Sequence, residues 1–153
     1  MTRQPSILAA FLFVSACGAF AQEKKIDQSA LPAAVQKTVQ EQSKGATVKG
    51  FSTEREHGKK VYEAEMMVDG HSKDIQIAED GTLTEVEEEV AFSALPQNVQ
   101  AALTAKAGAA KITKVESLTK QSKLVAYEAA TLKGSKKGEI QVGPEGGKLA
   151  HEE

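Results

Sequence analysis

"VYEAE" at residues 61–65 and "AYEAA" at residues 126–130 share Tyr-Glu-Ala 65 positions apart, and their flanks decide whether that is coincidence. The flanks repeat as well. "IDQSALPAAVQ" (26–36) aligns with "VAFSALPQNVQ" (90–100) at an offset of 64, with Ser29/Ser93, Ala30/Ala94, Leu31/Leu95, Pro32/Pro96, Val35/Val99 and Gln36/Gln100 identical. After one gained residue, "DIQIAEDG" (74–81) answers "EIQVGPEG" (139–146), with Ile75/Ile140, Gln76/Gln141 and Gly81/Gly146 identical. Matches in order at a nearly constant offset indicate a duplicated unit. The division implied is 22–89 and 90–153, after an N-terminal segment of different character.

Each unit reads as a helix followed by strands. Pro32 and Pro96 suit a first helical turn, Ser29 and Ser93 stand where a hydroxyl could cap it, and Gly45 and Gly108 fall where the helices should stop. Leu31, Val35 and Val39, and likewise Leu95, Val99 and Leu103, recur at helical spacing. Strands are expected at 46–54, 61–68, 73–78 and 82–90, separated by Gly-containing hairpin signals. The second unit offers 111–118, 123–132, 137–143 and a short end near Leu149. The fold class is therefore α+β: two α-β-β-β(β) units whose antiparallel strands carry helices on one face.

Period two sorts the faces. Tyr62, Ala64, Met66 and Val68 point one way with Ile75 and Ile77, and Glu63, Glu65, Met67, Asp74 and Gln76 point the other. The apolar side must meet the helices, which leaves an open, solvated face carrying Glu63, Glu65, Gln76, Glu128 and Gln141. These five are the candidate partner-binding residues. The bland alternative is that polar residues simply belong in water.

The N-terminus is an export signal: a short polar start with Arg3, the apolar run Ile7–Ala16, and "AFA" (19–21) at the cleavage position. Cleavage after Ala21 gives a periplasmic or secreted protein with no membrane insertion. The alternative is a lipoprotein anchored at Cys17, which "VSAC" (14–17) would permit. Cys17 is the single cysteine, so the mature domain has no disulfide and must rest on an ordinary core. Residues 26–89 carry 14 Asp/Glu against 7 Lys/Arg, while 90–153 carry 6 against 9 lysines. An acidic half is thus joined to a basic one.

Neither catalysis nor a cofactor is indicated. A hydrolase needs a nucleophile beside a base, and no such constellation is present. His57 and His71 fall in expected hairpin turns and His151 in the tail, with no zinc spacing. No metal site is expected; the nearest approach is Glu85, Glu87 and Glu89 in "EVEEE", read as an exposed acidic edge that resists strand-to-strand aggregation. Dispersed lysines and sparse aromatics speak against nucleic acid.

A helix opening with Leu-Pro, a Tyr-Glu-Ala strand, and an Ile-Gln-Ile strand ending in Asp-Gly resemble the PepSY and PepSY-like domains. Two such units in tandem are similar to the beta-lactamase inhibitor protein fold. The resemblance implies an exported, non-catalytic domain; the leading expectation is a monomer that binds a protein or peptide through the open face or an edge of its sheet, in its sharpest form inhibiting a secreted or envelope peptidase or other hydrolase. The rival is an acidic, cation-binding or stress-related envelope protein without a protein target.

Overall fold

The computed structural model describes residues 23–56 and 58–150. The export signal, Cys17, His57 and the tail containing His151 therefore lie outside the described residues. Eight antiparallel strands run β1 (Lys24–Ile26), β2 (Thr47–Glu56), β3 (Lys59–Val68), β4 (His71–Ala78), β5 (Leu83–Glu89), β6 (Lys111–Lys120), β7 (Lys123–Lys133) and β8 (Lys136–Val142). They pair strictly in chain order as one sheet. Helix α1 (Ala33–Gln42) links β1 to β2, and α2 (Gln97–Ala107) links β5 to β6. No helix among the described residues is long and apolar enough to cross a membrane.

The expected face assignment holds. Leu31, Val35 and Val39 at and along α1 meet Tyr62, Ala64, Met66, Ile75 and Ile77, all buried. Leu95, Val99 and Leu103 do the same against Val115, Ala129 and Val142. Both helices lie on the same side, because the register carries Ile75 to Val86, Val86 to Thr119, and thus to the Val115 side of β6. Tight turns at Asp69–Gly70 and Gln121–Ser122 have positive φ at both positions, the backbone that matches the twist of a two-residue hairpin.

The joint between the units is β5. Ile26 of β1 pairs with Phe51, and 64 residues on, Val90 N–H donates to Val115 O at 2.9 Å. The end of β5 therefore stands to the second unit as β1 stands to the first. One strand serves both, and the sheet is continuous.

Four local expectations are corrected. Ser29 and Ser93 do not cap the helices: each lies in a separate 3-10 turn, Pro32 and Pro96 occupy the N-cap positions, and neither cap has a side-chain hydrogen bond. Instead, Gln36 and Gln100 donate back to the carbonyls of Leu31 and Leu95, both at 2.8 Å, which gives that repeated glutamine a purpose. His71 opens β4 rather than sitting in a turn. Strand β1 is an addition, three residues long and too short to show a pattern.

The fourth correction is near Leu149, where no strand forms among the described residues. The turn before it persists nonetheless. Ala78 N–H donates to Thr82 O and Gly81 N–H to Ala78 O; Gly143 N–H donates to Gly147 O and Gly146 N–H to Gly143 O. Among the described residues no strand follows that turn in the second copy, and β8 stands at an edge of the sheet.

Candidate functional site

The strand register assembles the side of the sheet away from the helices into rows. One runs Lys25, Ser52, Glu63, Gln76, Glu85, Lys120. The next runs Gly50, Glu65, Asp74, Glu87, Leu118, Ala126. A third runs Glu89, Glu116, Glu128, Gln141. All five candidate partner-binding residues share this face, and Glu85, Glu87 and Glu89 stand among them.

Two expectations change here. Glu85, Glu87 and Glu89 do share one side, but β5 is interior to the sheet, so they form no edge. The pairing of β5 with β6 is long-range and carries the acids to the middle. The face is also not simply wet. Glu87, Glu116, Glu128 and Gln141 are each less than a tenth exposed, although no helix lies on that side. Neighbouring strands stand about 4.8 Å apart, so long side chains in adjacent rows screen one another. Buried Val61, Leu118 and Ala126 on the same face add apolar surroundings.

Polar partners fix many of these groups. Ser52 Oγ donates to Glu63 Oε2 at 3.1 Å, and Gln141 Nε2 donates to Glu128 Oε2 at 2.6 Å. The equivalent Gln76 instead accepts from Thr84 Oγ1 at 2.9 Å, because β5 lies alongside it, whereas among the described residues no strand flanks β8 on that side. Ser72 donates to Glu89 Oε2 from both N–H (3.1 Å) and Oγ (3.3 Å). Lys114 Nζ lies 2.6 Å from Glu116 Oε1, and Lys120 Nζ lies 3.5 Å from Glu85 Oε2. Glu65 is half-buried, with its carboxylate beside Gly50.

Crowding raises the proton affinity of the face. Burial, then the charges of Asp74 and Glu23, pushes the Glu63 carboxyl up to about 7, opposed by the Ser52 hydroxyl. Burial and then Glu116 push Asp74 up to about 6, opposed by Lys114. Glu87 is pushed up to about 11, by burial first and then by Glu85 and Glu128. Glu128 is raised by burial, against the Gln141 hydrogen bond. A cationic group placed against this face would act the other way and favour the charged carboxylates.

Sequence reasoning placed Asp74 on this face without choosing it, and missed Ser52, Ser72, Lys114 and Glu116. Glu116 was findable: it lies 64 residues after Ser52 and at even spacing from Leu118 in "KVESL". The second copy thus puts a carboxylate where the first has a hydroxyl.

With this geometry in place, comparison with known proteins gives the class. The family model described as "Putative beta-lactamase-inhibitor-like, PepSY-like" matches residues 19–84 and 60–142. The chain belongs to this PepSY-like family. Solved structures share the fold at low identity. A BLIP-like protein from Bacteroides fragilis is 20% identical with a TM-score of 0.58, covering 78% of this chain and 83% of its own. A protein described as a putative periplasmic protein from Bacteroides eggerthii gives 16% and 0.63 over 78% and 86%, and a DUF2874 family protein from Bacteroides ovatus gives 17% and 0.60 over 78% and 85%. A search of curated proteins finds no match.

Proposed function

We propose that this protein is an exported, non-catalytic, monomeric module that binds a protein or peptide through the helix-free face of its sheet, engaging Glu63, Glu65, Gln76, Glu128 and Gln141. One observation carries the reading. A row of carboxylates and amides is held in a crowded, partly desolvated surface that the hydrophobic core does not require. Burying carboxyl groups costs stability, and a fold that needed only solubility would space them in water. The Glu/Gln pairing occurs in both copies, at Glu63 opposite Gln76 and at Glu128 opposite Gln141.

Such a face suits a basic partner. Lysine or arginine side chains would displace protons from raised carboxyls and meet several acceptors at once. The periplasmic description of the B. eggerthii neighbour and the beta-lactamase-inhibitor-like family name support an envelope location and, as the sharpest version, inhibition of an envelope or secreted hydrolase. The test is binding of the mature protein to arrays of basic and acidic peptides, with a Glu63→Gln, Glu65→Gln, Glu128→Gln triple variant beside it. Basic peptides should be retained in a salt-dependent manner and lost at least tenfold by the variant. Equal binding by both proteins would remove the face from consideration.

A further inference from the structure

Asp74, Glu87 and Glu116 each present one carboxylate oxygen, and these atoms all lie within 4.8 Å of one another. They come from β4, β5 and β6: Asp74 is directly opposite Glu87, and Glu116 is diagonal to it, opposite Glu89. A second observation is independent of that clustering. Glu87 is only 8% exposed, and its Oε2 is buried with no hydrogen-bond partner. Leaving a buried carboxylate oxygen unsatisfied is costly, so such an atom signals a missing partner.

We propose that Asp74, Glu87 and Glu116 form a binding site for a divalent cation of calcium's size and hardness. This reading is independent of protein binding by the same face. Three oxygens so spaced share a centre no more than about 2.8 Å from each, a few tenths of an ångström above calcium–oxygen distances of roughly 2.3–2.6 Å. Magnesium, at about 2.1 Å and with a strict octahedron, would demand a much larger closure. An all-oxygen donor set does not favour zinc or copper.

The surroundings fit an ion that exchanges with other positive charge. Lys114 Nζ bonds Glu116 Oε1, and thus supplies one cation to the cluster. The buried Glu87 Oε2 is the oxygen left without a hydrogen-bond partner. Calcium takes six to eight oxygens, so water would complete the shell from the uncovered side of the sheet. Of the acids Glu85, Glu87 and Glu89, only Glu87 belongs to the cluster; Glu85 faces Lys120 and Glu89 faces Ser72.

The experiment is calorimetric titration of chelator-treated mature protein with calcium chloride, together with thermal unfolding with and without the metal. One calcium per chain and a higher midpoint are expected, with a tenfold weaker response to magnesium chloride. Glu87→Gln and Asp74→Asn should each abolish both signals while retaining the far-ultraviolet circular dichroism spectrum. Glu88→Gln, an exposed residue on the opposite, helix-bearing side of β5, should leave them unchanged. No response of the wild type at millimolar calcium, or an undiminished response in Glu87→Gln, would overturn the site. An equal response to magnesium would overturn the calcium assignment.

Discussion

Replacing Gly81 by alanine tests how the helices are tied to the sheet. Gly81 has φ +88°, and a Cβ there would sit 2.8 Å from the carbonyl oxygen of Ala34 and 3.1 Å from the Ala34 Cβ. The second copy repeats the device: at Gly146, φ +75°, a Cβ would meet Asn98 O at 2.6 Å. Both contacts are with the first turn of a helix, which cannot move without disturbing Val35 or Val99, each fully buried at the next position along. Side chains reinforce the joint, through Thr38 Oγ1 to Gly81 O at 2.6 Å and Asn98 Nδ2 to Glu145 O at 2.8 Å. Gly70 supplies the control, with φ +89° and nothing within 4 Å of the position a methyl group would take. Gly70→Ala should lose about 1 kcal/mol, the strain of a left-handed alanine alone. Gly81→Ala adds overpacking against backbone and weakens the Thr38 bond, for a total of about 3 kcal/mol. The difference of about 2 kcal/mol corresponds to about 1 M in urea midpoint at the slope of a domain this size. Equal midpoints for the two variants in equilibrium urea unfolding would show that the turn and helix are not in the contact described.

Three other outcomes follow. Because Glu63 is raised from 4.5 to about 7 in the folded state, it holds a proton that the unfolded chain releases, so its stabilising effect is full below pH 4.5 and lost as pH rises to about 7. In chelator, Glu63→Gln should therefore raise stability at pH 8 by at most about 3 kcal/mol and change it little at pH 4.5; a gain independent of pH would refute the burial argument. Ile75→Ala should cost about 3–4 kcal/mol, since Ile75 is wholly buried on an interior strand, whereas Ile140→Ala at the half-buried equivalent on edge strand β8 should cost roughly half that, by differential scanning calorimetry. Gln141→Leu should cost about 1–3 kcal/mol by leaving the buried Glu128 carboxylate without its amide, and the loss should shrink on acidification as Glu128 takes up a proton.

What the sequence determined alone was everything governed by local period and by repetition. Period two put Tyr62, Ala64, Ile75 and Ile77 under α1, and the 64–65 offset placed Val99, Ala129 and Ile140 correspondingly in the second unit. The face membership of Glu63, Glu65, Gln76, Glu128 and Gln141 follows from the same alternation, because in a pleated strand each neighbour must point the other way. The tertiary structure decided what depends on pairing between distant strands. Only the β5–β6 register made β5 common to both units, turned an expected acidic edge into the middle of the sheet, and brought Asp74, Glu87 and Glu116 to within 4.8 Å. Burial of those acids was equally invisible, since it comes from side chains of adjacent strands covering one another across the sheet. Alternation within one strand fixes the side on which a residue lies; only the strands beside it fix whether water reaches it.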